Sequence, residues 1–114
     1  MRILILEDSP ERQEKFYDAL DGNTSLYFAT NAWDAITLLD SVLFDLAFLD
    51  HDLGEVDFLR ETDNTGYTVA KWLQAHPDRM PKRVIIHSLN PVGAQRMAQC
   101  LPKAELLPAA WDYL

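Results

Sequence analysis

Leu46-Ala47-Phe48-Leu49-Asp50-His51-Asp52-Leu53-Gly54 is the stretch whose reading decides the fold. Four apolar residues run straight into an Asp-His-Asp triplet, and a glycine follows almost at once. A short, wholly apolar run bounded by a turn signal is the pattern of a strand buried on both faces. Carboxylates are costly to bury, so those at the end of such a strand belong in a wet crevice at the sheet edge. In open parallel sheets that crevice, beyond the carboxyl ends of the strands, is where ligands bind.

Upstream, Ile3 to Leu6 repeats the pattern and again ends in acid, Glu7-Asp8. Ser9-Pro10-Glu11 then reads as a helix start, with Ser9 as N-cap, Pro10 at the first helical position and acid in the first turn. Phe16, Ala19 and Leu20 give this helix its apolar face, and Asp21-Gly22-Asn23 ends it. Ser25 to Ala29 is expected to be an edge strand. Thr30-Asn31 caps a second helix, whose Ala32, Ala35, Ile36 and Leu39 fall at i, i+3, i+4 and i+7.

Downstream, Glu55 to Asn64 is acidic and aperiodic, and it reads as a long loop beside the crevice. Thr65-Gly66 opens a helix with Val69, Ala70 and Leu73 inward, ending at His76-Pro77. Val84 to Ile86 is another buried strand and runs into His87-Ser88-Leu89-Asn90. Asn90-Pro91 starts a fourth helix (Ala94, Met97, Ala98, Leu101 inward), which Pro102 ends. Ala104 to Leu107 is the last strand, and Pro108 to Leu114 is read as a tail. The order is βα four times and then β, which implies a doubly wound, five-stranded parallel sheet with helices on both faces. Right-handed crossovers give strand order 2-1-3-4-5, the receiver or flavodoxin-like arrangement without a full fifth helix. Its switch point lies between the strands that end in Glu7-Asp8 and Asp50-His51-Asp52.

At 114 residues the chain is expected to form one domain, residues 1–114. The single cysteine, Cys100, excludes an internal disulfide and suits a reducing compartment. The longest apolar stretch, Val42 to Leu49, is broken by Asp45 and is too short to span a bilayer. Charged Met1-Arg2 opens directly into a strand, with no signal peptide, so a cytoplasmic location is expected. The excess of 18 acidic over 10 basic residues, a formal charge of −8, argues against a broad nucleic-acid surface or an anionic-membrane footprint. It leaves room for a small phosphorylated ligand held through a metal ion.

The acid pair after strand 1, the aspartate ending strand 3 and the hydroxyl ending strand 4 together resemble the receiver domain of two-component response regulators. That resemblance implies magnesium held by Glu7 and Asp8, Asp50 as phospho-acceptor and Ser88 as switch hydroxyl. The chain departs from receivers at Leu107-Pro108, where they carry a Lys-Pro whose lysine contacts the phosphoryl group, and in having only seven residues after Leu107. Leu49 to Gly54, Thr65-Gly66 and His87 to Gly93 with Met97 are more closely similar to the cyclic-phosphate processing receiver domains. That group carries extra histidines and polar residues around the old phosphorylation site. The likeness implies processing of a phosphoester.

Adjacent acids before a helix suit its dipole. Opposite Asp50 and Asp52, however, Glu7 and Asp8 make a pocket whose carboxylates repel unless a divalent cation neutralises them. Glu7, Asp8, Asp50 and Asp52 are therefore the candidate metal ligands, and oxygen-only donors point to magnesium, with manganese or calcium as alternatives. Asp52 shares the facing of Asp50 only if the strand continues. An Asp-x-Asp at a strand end also resembles haloacid-dehalogenase-type phosphatases, whose Thr or Val positions and large insertions are absent here. Asp50, His51, His87 and Ser88 are the candidate catalytic residues. An unperturbed imidazole titrates near ~6.5, which suits proton transfer at neutrality. On a regular strand His87 faces away from Ser88, which leaves a hydrogen-bonded core histidine as the alternative.

Ser88, Asn90, Gly93 and Thr65 are the candidate phosphate-binding residues, at helix N-termini that offer free N–H groups; the alternative for Asn90 is an ordinary cap. The expectation is a divalent-metal-dependent hydrolysis of a cyclic phosphate on a nucleotide or RNA end. The alternative is a non-enzymatic receiver or pseudo-receiver that takes phosphate on Asp50 or binds a partner protein.

Overall fold

Apolar runs buried on both sides can satisfy their backbone only by pairing with one another, and the chain does this in one parallel sheet. A computed structural model describes residues 1–20, 22–54 and 64–114. Its strands are β1 (Arg2–Leu6), β2 (Ser25–Ala29), β3 (Leu46–Leu49), β4 (Arg83–Ile86) and β5 (Glu105–Leu106), and their order is β2-β1-β3-β4-β5. The helices are α1 (Pro10–Ala19), α2 (Ala32–Ser41), α3 (Gly66–Ala75) and α4 (Pro91–Cys100), with short 3₁₀ turns at Pro77–Arg79 and Ala110–Tyr113. The expected fold class and strand order are those observed. The loop expected from Glu55 to Asn64 lies, over residues 55–63, outside the described residues.

Alternation along the strands divides the core into two layers. Leu4, Leu6, Ala47, Leu49, Val84 and Ile86 pack with α2, α3 and α4. Ile3, Ile5, Leu46, Phe48 and Ile85 pack on the other side with Phe16 of α1 and Ala110. Capping sets the helix starts: Ser9, Asn31 and Asn90 side chains accept from Arg12, Asp34 and Gly93 N–H respectively. Thr65 makes no such side-chain bond. Instead α3 hangs on the end of β3, through an isolated bridge between Asp52 and Thr65 and a bond from Gly66 N–H to the His51 carbonyl.

Two elements differ from the sequence expectation. The last strand is only Glu105–Leu106, so Ala104 and Leu107 flank it. The segment read as a tail folds back on α1: Ala110 is fully buried, and the Trp111 ring meets Phe16 edge-on at 5.6 Å. The apolar side of α1 needs a cover, and this single turn supplies it. One turn is too short to leave a helical period in the sequence.

Gly66 lies where α3 crosses the end of β3, and a Cβ there would stand 1.8 Å from the Asp50 carbonyl oxygen. Backbone cannot yield as a side-chain tip can, so Gly66→Ala is expected to cost about 1–3 kcal/mol or more. Gly22→Ala, whose Cβ would meet nothing within 4 Å, is expected to stay within about 0.5 kcal/mol. Urea midpoints of the two variants against the parent check this contrast.

Candidate functional site

The site follows from strand register. Ile5 pairs with Phe48, and Phe48 with Ile85. Two residues on, the same facing belongs to Glu7, Asp50 and His87. The ladder carries through this step, with Asp50 N–H bonding Leu6 and His87 N–H bonding Leu49. The three side chains therefore stand level beyond the strand ends, on the α1 side of the sheet. Their ligand atoms all lie within 4.8 Å of one another.

All three are buried, Glu7 to 0% and Asp50 to 4% exposure. Glu7 accepts from Ser9 N–H at 3.1 Å and lies 3.2 Å from His87 Nε2. Burial alone pushes its carboxyl up. The bonds from His87 and Ser9, with the charges of His87 and Arg12, outweigh that and hold it below its ordinary value. Asp8 is pushed up, first by burial and then by its hydrogen bond to Glu7. Asp50 is pushed up to about 6, mainly by burial and further by the Glu7 charge, against opposing help from His87, the His51 N–H and Arg12. That N–H bonds Asp50 Oδ1 at 2.8 Å.

Such a donor set fits a divalent cation. Buried carboxylates close together and short of positive charge are what an ion relieves, and an imidazole nitrogen stands within the same reach. Asp8 adjoins the cluster through Glu7, and its Oδ2 is 3.6 Å from where a side chain at Gly54 would begin. Gly54 itself has φ of 68°, a left-handed conformation that suits glycine.

Asp52 lies elsewhere. β3 ends at Leu49 and the backbone turns, so Asp52 does not share the facing of Asp50. Its Oδ1 instead takes His51 Nδ1 at 2.7 Å and Asn90 Nδ2 at 3.2 Å. These bonds hold the Asp52 carboxyl low, that from His51 most strongly. The His51 ring packs flush on Gly93, where a Cβ would sit 2.4 Å from Cγ. Gly93 N–H is given to the Asn90 cap at 3.1 Å, so the glycine's evident role is to make room for the imidazole. Asn90 is both the cap and a partner of Asp52.

The two histidines lie on opposite faces of the sheet. His51 rests against α4. His87 is enclosed by Phe16, Phe48 and Trp111 at 5.0, 6.5 and 6.0 Å, and its Nδ1 has no partner among the described residues. Ser88 is buried, and its Oγ accepts from Asn90 N–H at 3.0 Å. Thr65 is half-buried at the start of α3.

Sequence reasoning missed two contributors. Arg12 Nη1 lies 3.9 Å from Glu7 Oε1 and 4.0 Å from Asp50 Oδ2. Trp111 underlies that guanidinium at 5.5 Å. Arg12 stands at i to i+4 from buried Phe16, a spacing that puts both on one helix face and could have found it. Trp111 left no comparable signal.

Comparison with known proteins agrees with this geometry. The family model of the cyclic-phosphate processing receiver domain matches residues 2–103. The fold is similar to the phosphorylated cyanobacterial phytochrome response regulator RcpA (16% identity, TM-score 0.76, 99% of this chain and 84% of that one). It is also similar to the manganese-bound form of response regulator Rcp1 (17% identity, TM-score 0.73, 93% and 79%). A signal receiver domain of a signal transduction histidine kinase from Syntrophus aciditrophicus is 26% identical, with TM-score 0.69 and coverage of 93% and 75%. No protein of curated function matches. The receiver-type sheet, its buried acid row and the match across nearly the whole chain make this chain a member of the cyclic-phosphate processing receiver domain family.

Proposed function

We propose that this receiver domain is a divalent-metal-dependent phosphoesterase that opens a cyclic phosphate on a nucleotide or an RNA end. The observation that carries the reading is the His51–Asp52–Asn90 array at the sheet edge that also bears, on its other face, the buried row of Glu7, Asp50 and His87. Ring opening joins a water oxygen to phosphorus and breaks one bond from phosphorus to a ribose oxygen. The attacking water loses a proton, and the departing oxygen gains one.

Imidazole is the side chain suited to both transfers near neutrality. An Nδ1–H given to Asp52 fixes the ring's tautomer and leaves Nε2 for the exchange. His87, enclosed by aromatic rings, holds Glu7 in place. Ser88, Asn90 and Thr65 stand at the helix starts that would receive phosphate oxygens, and Gly93 makes room there for the imidazole. Glu7, Asp8 and Asp50 are the residues that would hold magnesium or manganese, which when bound polarises the phosphoryl oxygens as a Lewis acid. No described helix is long and apolar enough to cross a membrane, and the substrate is read as a small or terminal phosphoester.

The second reading is a signalling receiver that takes phosphate on Asp50, favoured by the likeness to RcpA, a response regulator in its phosphorylated form. Acetyl phosphate separates the two. A hydrolytic site leaves no lasting adduct, so intact mass should show none. A stable label that disappears in Asp50→Asn would support signalling instead.

Asp50 also gives a test without substrate. Its folded pKa of about 6 lies above the ordinary 3.8, so its contribution is full below 3.8 and is lost as pH rises through 6. The loss approaches ~3 kcal/mol, from roughly two units at 1.36 kcal/mol each. In chelator at pH 8, Asp50→Asn should therefore melt higher than the parent, and the gain should fade toward pH 4. Added magnesium or manganese should raise the parent's melting temperature and leave Asp50→Asn unmoved.

Turnover is read by chromatography over a panel of 2′,3′-cyclic nucleotides and cyclic-phosphate RNA ends with manganese. Asp52→Ala and Gly93→Ala, which respectively unpair and displace His51, should lose about 10²–10⁴-fold while the metal-induced melting shift persists. A panel without product would leave a binding module.

A further inference from the structure

We infer that Arg12, held by Trp111, is the side chain that receives the phosphoryl oxygens at this site. The inference rests on the site's accepting a phosphoryl group, and it adds the residue that anchors that group. A phosphoryl dianion brought to a row of buried carboxylates meets repulsion from Glu7, Asp8 and Asp50 together. Among the described residues, Arg12 is the only Lys or Arg paired with Glu7 or Asp50. Both contacts, 3.9 and 4.0 Å, are too long for hydrogen bonds, and among the described residues its guanidinium donates none. Its planar fork of N–H groups is thus unspent and faces the two acids. That fork matches two phosphate oxygens at once.

The guanidinium is also positioned rather than loose. Its side chain is 36% exposed, so it reaches the crevice from the wet side. From below, its Cζ stands 5.5 Å from the Trp111 ring centre, with Lys15 Nζ at 5.8 Å from the same ring. Trp111 in turn rests edge-on against Phe16 and His87. The C-terminal 3₁₀ turn therefore builds the floor under the one described cation that faces Glu7 and Asp50. Trp111 acts through Arg12 and is a positioning residue.

The register provides an independent control. Ile86 pairs with Leu106, and Leu107 N–H bonds the Ile86 carbonyl, so Leu107 stands beside His87 at the level of the acid row. It packs with the layer that holds Phe16. A lysine at 107 would present its ammonium to the same gap from the opposite side.

The test is calorimetric titration of the whole chain with inorganic phosphate, with and without magnesium. Arg12→Ala should bind phosphate roughly tenfold more weakly or worse. Magnesium alone should bind that variant as well as the parent or better, because a repelling charge has gone. Arg12→Lys should fall between, and Arg12→Ala with Leu107→Lys should recover much of the loss. Trp111→Ala should weaken phosphate but not magnesium, and Trp111→Phe should restore it. Parent-like phosphate binding by Arg12→Ala overturns the inference, as does a parent that binds no phosphate. Loss in Arg12→Ala and recovery in the double variant uphold it even if no cyclic ester is opened, in which case the hydrolytic reading alone falls.

Discussion

The pairing that brings Ile5, Phe48 and Ile85 level in the sheet continues for two more residues, and this makes Glu7, Asp50 and His87 neighbours. No loop has to find its place for the row to form, because backbone hydrogen bonds set it. The same alternation gives His51 and Ser88, one step along, the opposite facing that leads to α4. The sheet thus sorts the site's groups by their alternation along each strand. Carboxylates that share a buried position are costly, and the structure shows that cost in the raised Asp50 carboxyl. It is tolerated because the strands beneath are fully buried and cannot slip without turning their apolar residues to the wrong layer.

Two glycines let the helices approach closely enough to close this arrangement. Gly66 allows α3 to lie on the Asp50 carbonyl, and Gly93 allows the His51 imidazole to lie on α4. Each sits at the start of its helix, beside the point where the chain leaves the sheet. Space removed at Gly66 moves backbone and therefore the acid row. Space removed at Gly93 moves only a ring, since the atoms it would meet are side-chain atoms of His51. Stability and chemistry are linked at the first position and separable at the second.

What could be read from the sequence follows the same physics. β1, β3 and β4 were plain, because strands buried on both faces are continuous apolar runs, and the acids that end them marked the crevice. β5 is shorter than its apolar pattern predicts, since edge strands carry weaker patterns, and the turn at Ala110–Tyr113 leaves no period in the sequence. Glu7 and Asp50 were expected together and are together. The partnership of Asp52 with His51 was not foreseen, because it depends on the strand stopping at Leu49. The facing of His87 was left open, and the register settles it toward Glu7. Arg12 has only its i to i+4 spacing from Phe16 to mark it, because a charged residue on an amphipathic helix is ordinarily on its solvated side.

The separation of the two histidines bears on how the proposed chemistry would be divided. An imidazole that ligates an ion cannot also carry a proton on the same nitrogen. His87 stands with its Nε2 within reach of the Glu7 and Asp50 oxygens and its ring enclosed by Phe16, Phe48 and Trp111. His51 stands on the far face, turned by Asp52 and bedded on Gly93, with no metal-ligating carboxylate on its ring. A single-residue step thus separates a histidine paired with Glu7 from one paired with Asp52. Two residues of the same chemistry acquire different roles because alternation sends them to different sides of one sheet edge.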